Sequence, residues 1–251
     1  MRAFNIQPLD TKAMETCRYR IDNLTKPIYS LAMLETIAER FAGVLADPKP
    51  NHLKYGVLIV GADHLVDGPQ NVEHGHTSLN AIKRFNEGMS ATQGAAFKLQ
   101  APVYVVNIGL EQDTNHLANI DSRVIRNGSH FFGVEPSISH DELEQALEMG
   151  FAYADTLHEA GLQVVALGNI GERTFLDALV TTATVTGTSY ETLLTESDNG
   201  PTIAQRAAHI HSFVDPFDIT VDDWSVLSES DRRTAVLRLL HVAGGLDIAF
   251  L

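Results

Sequence analysis

Tyr55-Gly56-Val57-Leu58-Ile59-Val60-Gly61 constrains this chain more than any other stretch. A near-continuous apolar run of that length is too short for a helix. It reads as a strand buried on both faces, which happens when helices cover a parallel sheet on each side. Two further runs have the same character, Pro102-Val103-Tyr104-Val105-Val106-Asn107-Ile108-Gly109 and Gln163-Val164-Val165-Ala166-Leu167. Helical spacing fills the gaps between them, with segments at Thr77 to Phe85, Met89 to Leu99 and, after a Ser139/Glu142 capping box, up to Ala160. The pattern predicts a three-layer α/β fold with a parallel, Rossmann-like sheet and a small helical N-terminal portion. We expect one domain over 1–251: a helical arm over 1–50, the sheet core over 51–190 and a helical segment over 191–251. Pro48-Lys49-Pro50 reads as a stiff linker inside that domain.

In the arm, one helix is expected over Thr11 to Leu24. A second, capped by Ser30, would cover Leu31 to Leu45, with Leu31, Leu34, Ile37, Ala38 and Phe41 on its inner face. Lys26 reads as a solvated lysine. Pro201 suits the first turn of a helix reaching Phe213. The apolar ending Leu246 to Leu251 is expected to pack against something.

Charge and composition exclude several partners. Lys and Arg total 18 against 32 Asp and Glu, a formal net charge of −14, and no basic run offers a footprint for nucleic acid. No apolar run approaches membrane-spanning length, and the N-terminus lacks a signal-peptide core. A single cysteine, Cys17, allows no internal disulfide and suits a reducing compartment, so a cytoplasmic location is expected.

Candidate site residues lie where strands end, because the ligand crevice of an open parallel sheet forms at the carboxyl ends. The first strand ends in Ala62-Asp63-His64. The third leads into Gly168-Asn169-Ile170-Gly171, read as a glycine loop opening a helix near Glu172, a geometry that points N–H groups at an anion. On that helix Phe175, Leu179, Ala183 and Thr186 form the apolar stripe, and Asp177 stands off it. His64, His74 and His76 invite a metal reading, but no cysteine supports it and loop histidines are common solvent contacts, so no metal is expected.

Several of these stretches, taken in order, resemble the nicotinate-nucleotide:dimethylbenzimidazole phosphoribosyltransferase family of cobalamin lower-ligand synthesis. Ile21-Asp22-Asn23-Leu24-Thr25-Lys26-Pro27, then Ser30-Leu31 and Leu34-Glu35, is similar to the family's Asp-x-Leu-x-Lys-Pro-x-x-Ser-Leu-x-x-Leu-Glu. Ala62-Asp63-His64 matches Ala-Asp-His-Gly, Asn107-Ile108-Gly109 matches Asp-Val-Gly, and Arg126-Asn127-Gly128 falls at Ala-Arg-Gly. Gly168 to Gly171 sits at the Gly-Glu-x-Gly phosphate loop, and Gly244-Gly245-Leu246-Asp247-Ile248 at Gly-Gly-x-Glu/Asp-Ile. The resemblance implies transfer of phosphoribose from nicotinate mononucleotide to a benzimidazole-type base, without a cofactor. It places the phosphate at Gly168, Asn169, Ile170, Gly171 and Thr174, and the base toward Ala62, Asp63 and His64.

The departures shape the expectation. Asn169 replaces the family's glutamate, Leu65 replaces the glycine after Asp-His, and the family's Asn-Thr-Thr falls on Thr174-Phe175-Leu176. The family's general-base glutamate lies in a C-terminal part beyond the region matched, so no catalytic residue is assigned. The alternative is a non-catalytic nucleotide binder, or a subunit completed by another chain. A short sheet with an edge to cover also predicts a homo-oligomer. These assignments predict that Gly171→Val abolishes nucleotide binding while Asp177→Ala leaves it unchanged, as calorimetry would report.

Overall fold

The computed structural model describes residues 7–51, 53–66, 77–194, 202–221 and 223–251. The chain divides into two compact units, Met1–Lys54 and Tyr55–Leu251, so a boundary falls just after the Pro48-Lys49-Pro50 segment expected to be a linker within one domain.

In the first unit α1 (Thr11–Asp22), capped by Asp10, packs on α2 (Met33–Leu45) around Ala13, Cys17 and Ala42. Ser30 does not cap α2. The helix starts later, after Ala32 in a positive-φ conformation (46°), with no side-chain cap. Leu31, Leu34 and Ile37, expected inward, are exposed. Lys26 is not a free surface cation: its Nζ lies 2.7 Å from Oε1 of Glu35, a carboxylate only 2% exposed. The same carboxylate takes the Arg18 guanidinium at 3.2 Å and the Leu31 N–H at 3.0 Å. A charge that looks solvated in sequence is thus one half of a buried pair, because its partner arrives from the next helix.

The second unit is built on the three predicted strands. β1 (Tyr55–Ala62) pairs in parallel with β3 (Val103–Gly109) on one side and β6 (Val164–Ile170) on the other. Between them in sequence lie the short β2 (Leu65–Val66), α3 (Thr77–Asn86), α4 (Ala91–Leu99), β4 (Asp121–Ser122), β5 (Phe131–Phe132) and α5 (His140–Glu159). The sheet order is β4-β3-β1-β6, all parallel, and β2 pairs with β5 separately. Among the described residues, no strand pairs with the outer edge of β6.

Both faces of β1 and β3 are covered, which explains their unbroken apolar runs. Leu58, Val60, Val106 and Ile108 pack with Leu143, Ala146 and Leu157 of α5 and with Leu246, Ala249 and Phe250. Ile59 and Val105 pack on the other face against Ile82 and Phe85 of α3. The mixed α/β class with a parallel sheet is therefore present as the patterning predicts.

After β6 come α6 (Thr174–Thr186), the single turn α7 (Tyr190–Leu193) and α8 (Ile203–Val214), which together with Val66 and Phe132 build another apolar cluster. Pro201 lies outside the described residues. The chain closes through α9 (Glu229–Leu239), a π-helical turn (Leu240–Gly244) and α10 (Gly245–Phe250). The apolar ending is thus a helix in the core. Its backbone approaches α5 so closely that a Cβ on Gly150 would sit 2.0 Å from the Phe250 carbonyl oxygen.

α5 keeps its predicted capping box: the Glu142 N–H donates to Ser139 Oγ at 3.2 Å, and the Ser139 N–H to the Glu142 carboxylate at 2.7 Å. Ser139→Ala should lower stability by about 1 kcal/mol. Gly150→Val should cost several times as much, on the order of 4 kcal/mol, because backbone rather than a mobile side chain blocks it. Urea denaturation of the two variants checks the ranking.

Candidate active site at the strand ends

The carboxyl ends of β1, β3 and β6 meet at Asp63. Its Oδ1 accepts the Glu172 N–H at 2.7 Å, and its Oδ2 accepts the Glu111 N–H at 2.8 Å and the Ser78 hydroxyl at 3.1 Å. Its own N–H donates to Gly109 O, and its carbonyl accepts the Ser129 N–H, each at 2.9 Å. One buried side chain, 2% exposed, therefore ties the segments following all three strands into one rim. The next residue adds to this, since the His64 N–H donates to Glu172 O at 3.0 Å.

The His64 ring lies between two carboxylates. Nε2 meets Asp247 Oδ1 at 2.9 Å, and Nδ1 makes a close ion-pair contact with Asp177 Oδ2. All three residues are 1% exposed or less. Burial disfavours a charged ring, but the carboxylates of Asp177 and Asp247 outweigh it and hold the imidazolium well above the ordinary histidine range. Burial pushes the Asp177 carboxyl up to about 6 against the pull of His64, and among the described residues no donor reaches its Oδ1. For Asp247 the balance is reversed: burial is overcome by His64 and by hydrogen bonds, so its carboxyl lies below the usual range. Asn169 contributes one of those bonds, Nδ2 to Asp247 Oδ2 at 3.1 Å.

The three side chains each bring a potential metal-ligand atom within 4.8 Å of the others. The carboxylates, however, address opposite nitrogens of one imidazole, which makes the ring the cation between them. A metal bound here would have to displace His64 from one carboxylate. His74 and His76 lie outside the described residues.

Two backbone features make the triad possible. Gly245 adopts φ 61°, and a Cβ there would lie 1.9 Å from His64 Cε1, so only glycine fits both the conformation and the space. Gly171 passes so near β1 that a Cβ would sit 1.6 Å from Ala62 O.

Several sequence readings change here. Gly168, Asn169 and Ile170 are not loop residues: β6 continues through Ile170, pairing Ile59 with Gly168, Val60 with Asn169 and Gly61 with Ile170. Only Gly171 lies beyond the strand. The helix begins at Thr174, not Glu172, after Arg173 in a left-handed conformation (φ 59°), with no side-chain cap. Leu179 and Ala183 of the predicted stripe are buried, but the inner face extends to Asp177 and Val180, each 0% exposed, while Phe175 is 61% exposed. Asp177 is therefore not a neutral control position. Gly171→Val is not a clean probe of binding either, because it collides with β1. Ala62, Asp63 and His64, predicted to face the base, lie together at the carboxyl end of β1 but are buried beneath the rim. Asn169 is exposed at its rim, and Gly171 and Thr174 are partly buried there. Sequence reasoning assigned no role to Asp177. Its only signal is a lone acid at helical spacing among apolar residues.

A family model described as phosphoribosyltransferase matches residues 6–251. The chain belongs to this phosphoribosyltransferase family. It is 32% identical over 185 residues to the nicotinate-nucleotide–dimethylbenzimidazole phosphoribosyltransferase of Chloroflexus aggregans, covering 73% of this chain and 52% of that protein. It is 34% identical over 167 residues to the protein of the same name from Chromobacterium violaceum, covering 66% and 48%. Among solved structures, CobT from Thermus thermophilus superposes with a TM-score of 0.75 at 21% identity, over 95% of this chain and 69% of that one. The chain thus spans about half the length of the curated relatives it matches.

The fold should depend on the triad, because all three ionisable side chains are buried against one another. His64→Leu leaves two buried carboxylates without a counter-charge and should cost about 3–5 kcal/mol. The pH dependence has a definite sign. The raised His64 contributes stability fully present below its unfolded value of 6.5 and lost as pH rises through its folded value. The lowered Asp247 contributes stability present above 3.8 and lost as pH falls through its folded value. Asp177, raised from 3.8 to about 6, favours the fold below 3.8, and that contribution fades as pH approaches 6. Urea denaturation at pH 7 to 10 should show wild type losing stability with rising pH relative to a His64→Gln/Asp177→Asn variant. A constant difference would mean the ring is neutral.

Proposed function

We propose that this chain binds nicotinate mononucleotide at the rim formed by Asn169, Gly171 and Thr174, and transfers its phosphoribosyl group to a benzimidazole-type base. The observation that carries the reading is convergence. Asp63, His64, Asn169, Gly171 and Asp247 come from family-like motifs far apart in sequence, and they meet at the carboxyl ends of adjacent parallel strands. Membership of the family and the names of the relatives support the same substrates.

In this reading the 5′-phosphate occupies the uncapped start of α6, where N–H groups lack side-chain acceptors and the helix dipole favours an anion. Gly168, Asn169 and Ile170 provide the strand that leads to it, and Thr174 supplies a hydroxyl in the first turn. Arg173 is the nearby counter-charge, set against the Glu172 carboxylate. The base end lies toward the Ala62-Asp63-His64 side. Nicotinate leaves from a cationic glycosidic nitrogen, so its departure needs no acid. The main demands on the protein are to anchor the phosphate and hold the ribosyl carbon in line with the incoming nitrogen. A base that removes the imidazole proton adds about 10²–10⁴-fold.

A second reading, a nucleotide-binding chain that needs another polypeptide for turnover, is favoured by Asn169 standing where the family has glutamate. The engagement of Asp63, Asp177 and Asp247 in buried contacts points the same way. The outer edge of β6, which no strand pairs among the described residues and where Leu167 is 58% exposed, supports the homo-oligomer expected from sequence, and sedimentation would report it. The lone Cys17, buried and free, supports the cytoplasmic location expected from sequence. Among the described residues no helix is long and apolar enough to cross a membrane.

The test is titration of the purified chain with nicotinate mononucleotide, followed by addition of dimethylbenzimidazole and measurement of nicotinate release. Binding with turnover supports transfer, and binding without turnover supports the second reading. Arg173→Gln should weaken nucleotide binding by roughly three- to tenfold, the range of one exposed charge-assisted contact. Equal binding of nicotinate riboside and its 5′-phosphate would overturn the phosphate site.

A further inference from the structure

Asn169 is exposed at the rim, yet its amide is tethered to the most deeply buried charges of the molecule. Asp247 Oδ2 receives the Asn169 Nδ2 at 3.1 Å, while Asp247 Oδ1 is occupied by His64 Nε2 at 2.9 Å. An ionised carboxylate only accepts hydrogen bonds, so the Asn169 NH2 group must face inward. The carbonyl oxygen of the same amide then faces outward. Flipping it would set that oxygen against Asp247 and leave a carboxylate oxygen unsatisfied at the edge of a buried cluster. Asp247 in turn is held from the other side, because His64 is clamped by Asp177 and by the space beneath Gly245.

We propose that the buried His64–Asp177–Asp247 triad positions Asn169 so that its Oδ1 is a fixed, neutral acceptor for a ribose hydroxyl of the bound phosphoribosyl nucleotide. This rests on the nucleotide reading above and deepens it. Asn169 is two strand residues before Gly171, roughly 7 Å at the rise of an extended chain. That is about the span from a 5′-phosphate to the far hydroxyls of the same ribose. An amide oxygen at this position also accepts without adding charge beside the phosphate. Asn169 is the contact residue here. His64, Asp177 and Asp247 are positioning residues that act through it.

The experiment compares binding of nicotinate mononucleotide with that of its 2′-deoxy and 3′-deoxy analogues by calorimetry, for wild type, Asn169→Leu and Asp247→Asn. Wild type should prefer the full ribonucleotide over at least one deoxy analogue by about three- to tenfold, the worth of one net hydrogen bond. Asn169→Leu removes a donor from Asp247 Oδ2 and should fold with a lowered melting temperature, and it should bind the ribonucleotide and that analogue equally. Asp247→Asn, whose amide can accept either orientation of Asn169, should lose most of the preference while retaining nucleotide binding. Thermal melts of each variant confirm that folded protein is compared. An undiminished preference in Asn169→Leu overturns this inference and leaves the nucleotide reading standing. Failure of wild type to bind any nucleotide overturns both.

Discussion

A histidine ring held between two buried carboxylates is the interaction on which the second unit depends. His64 follows β1, Asp177 sits on α6, and Asp247 sits on α10, so the ion triad joins the end of β1 to two helices. Three desolvated ionisable groups are tolerated only because each has an opposite charge in contact. The same contact orders the neighbouring backbone. Gly245 must be glycine to leave space for the ring, and α6 must present Asp177 inward, which turns Phe175 outward.

The Asp63 carboxylate performs a related task with backbone partners. Three donors from the segments after β1, β3 and β6 converge on its two oxygens, so the rim is one hydrogen-bonded assembly. Loops elsewhere carry function because they move independently. Here the loops at the strand ends are tied, and the rim groups stand on a rigid base.

β1 and β3 were legible because helices cover both their faces and they therefore read as unbroken apolar runs, whereas β6, with Ala166 and Leu167 exposed, was legible from its short β-branched apolar run alone. Ser139 and Glu142 were legible because a capping box is local, spanning only the first turn of α5. Asp63, His64 and Asn169 were legible from their place at the strand ends and Asp247 through a family-like motif, and neither signal said what they do. What escaped was every long-range charge pairing. Asp177 looks like a surface acid when only its own helix is considered, and Lys26 looks solvated until Glu35 folds against it. Hydrophobic periodicity treats each charge as an outward vote. It fails where a partner distant in sequence makes burial tolerable. The glycine loop was misjudged for a different reason: Gly168 lacks a side chain because β6 packs its backbone over Ile59, whose Cδ1 would lie 2.9 Å from a Cβ there.

The contact between Gly245 and His64 has an evolutionary corollary. With 1.9 Å between a hypothetical Cβ and the imidazole carbon, the two positions cannot drift separately. Position 245 is barred from every side chain while position 64 carries an imidazole, and the bar lifts only if residue 64 shrinks. Shrinking residue 64, however, removes the cation and obliges positions 177 and 247 to lose their charges as well. The four sites are therefore expected to be inherited as a block. Chains that abandon it should do so at all four positions together, through intermediates of low stability, and covariation among the four would be the trace left in related sequences.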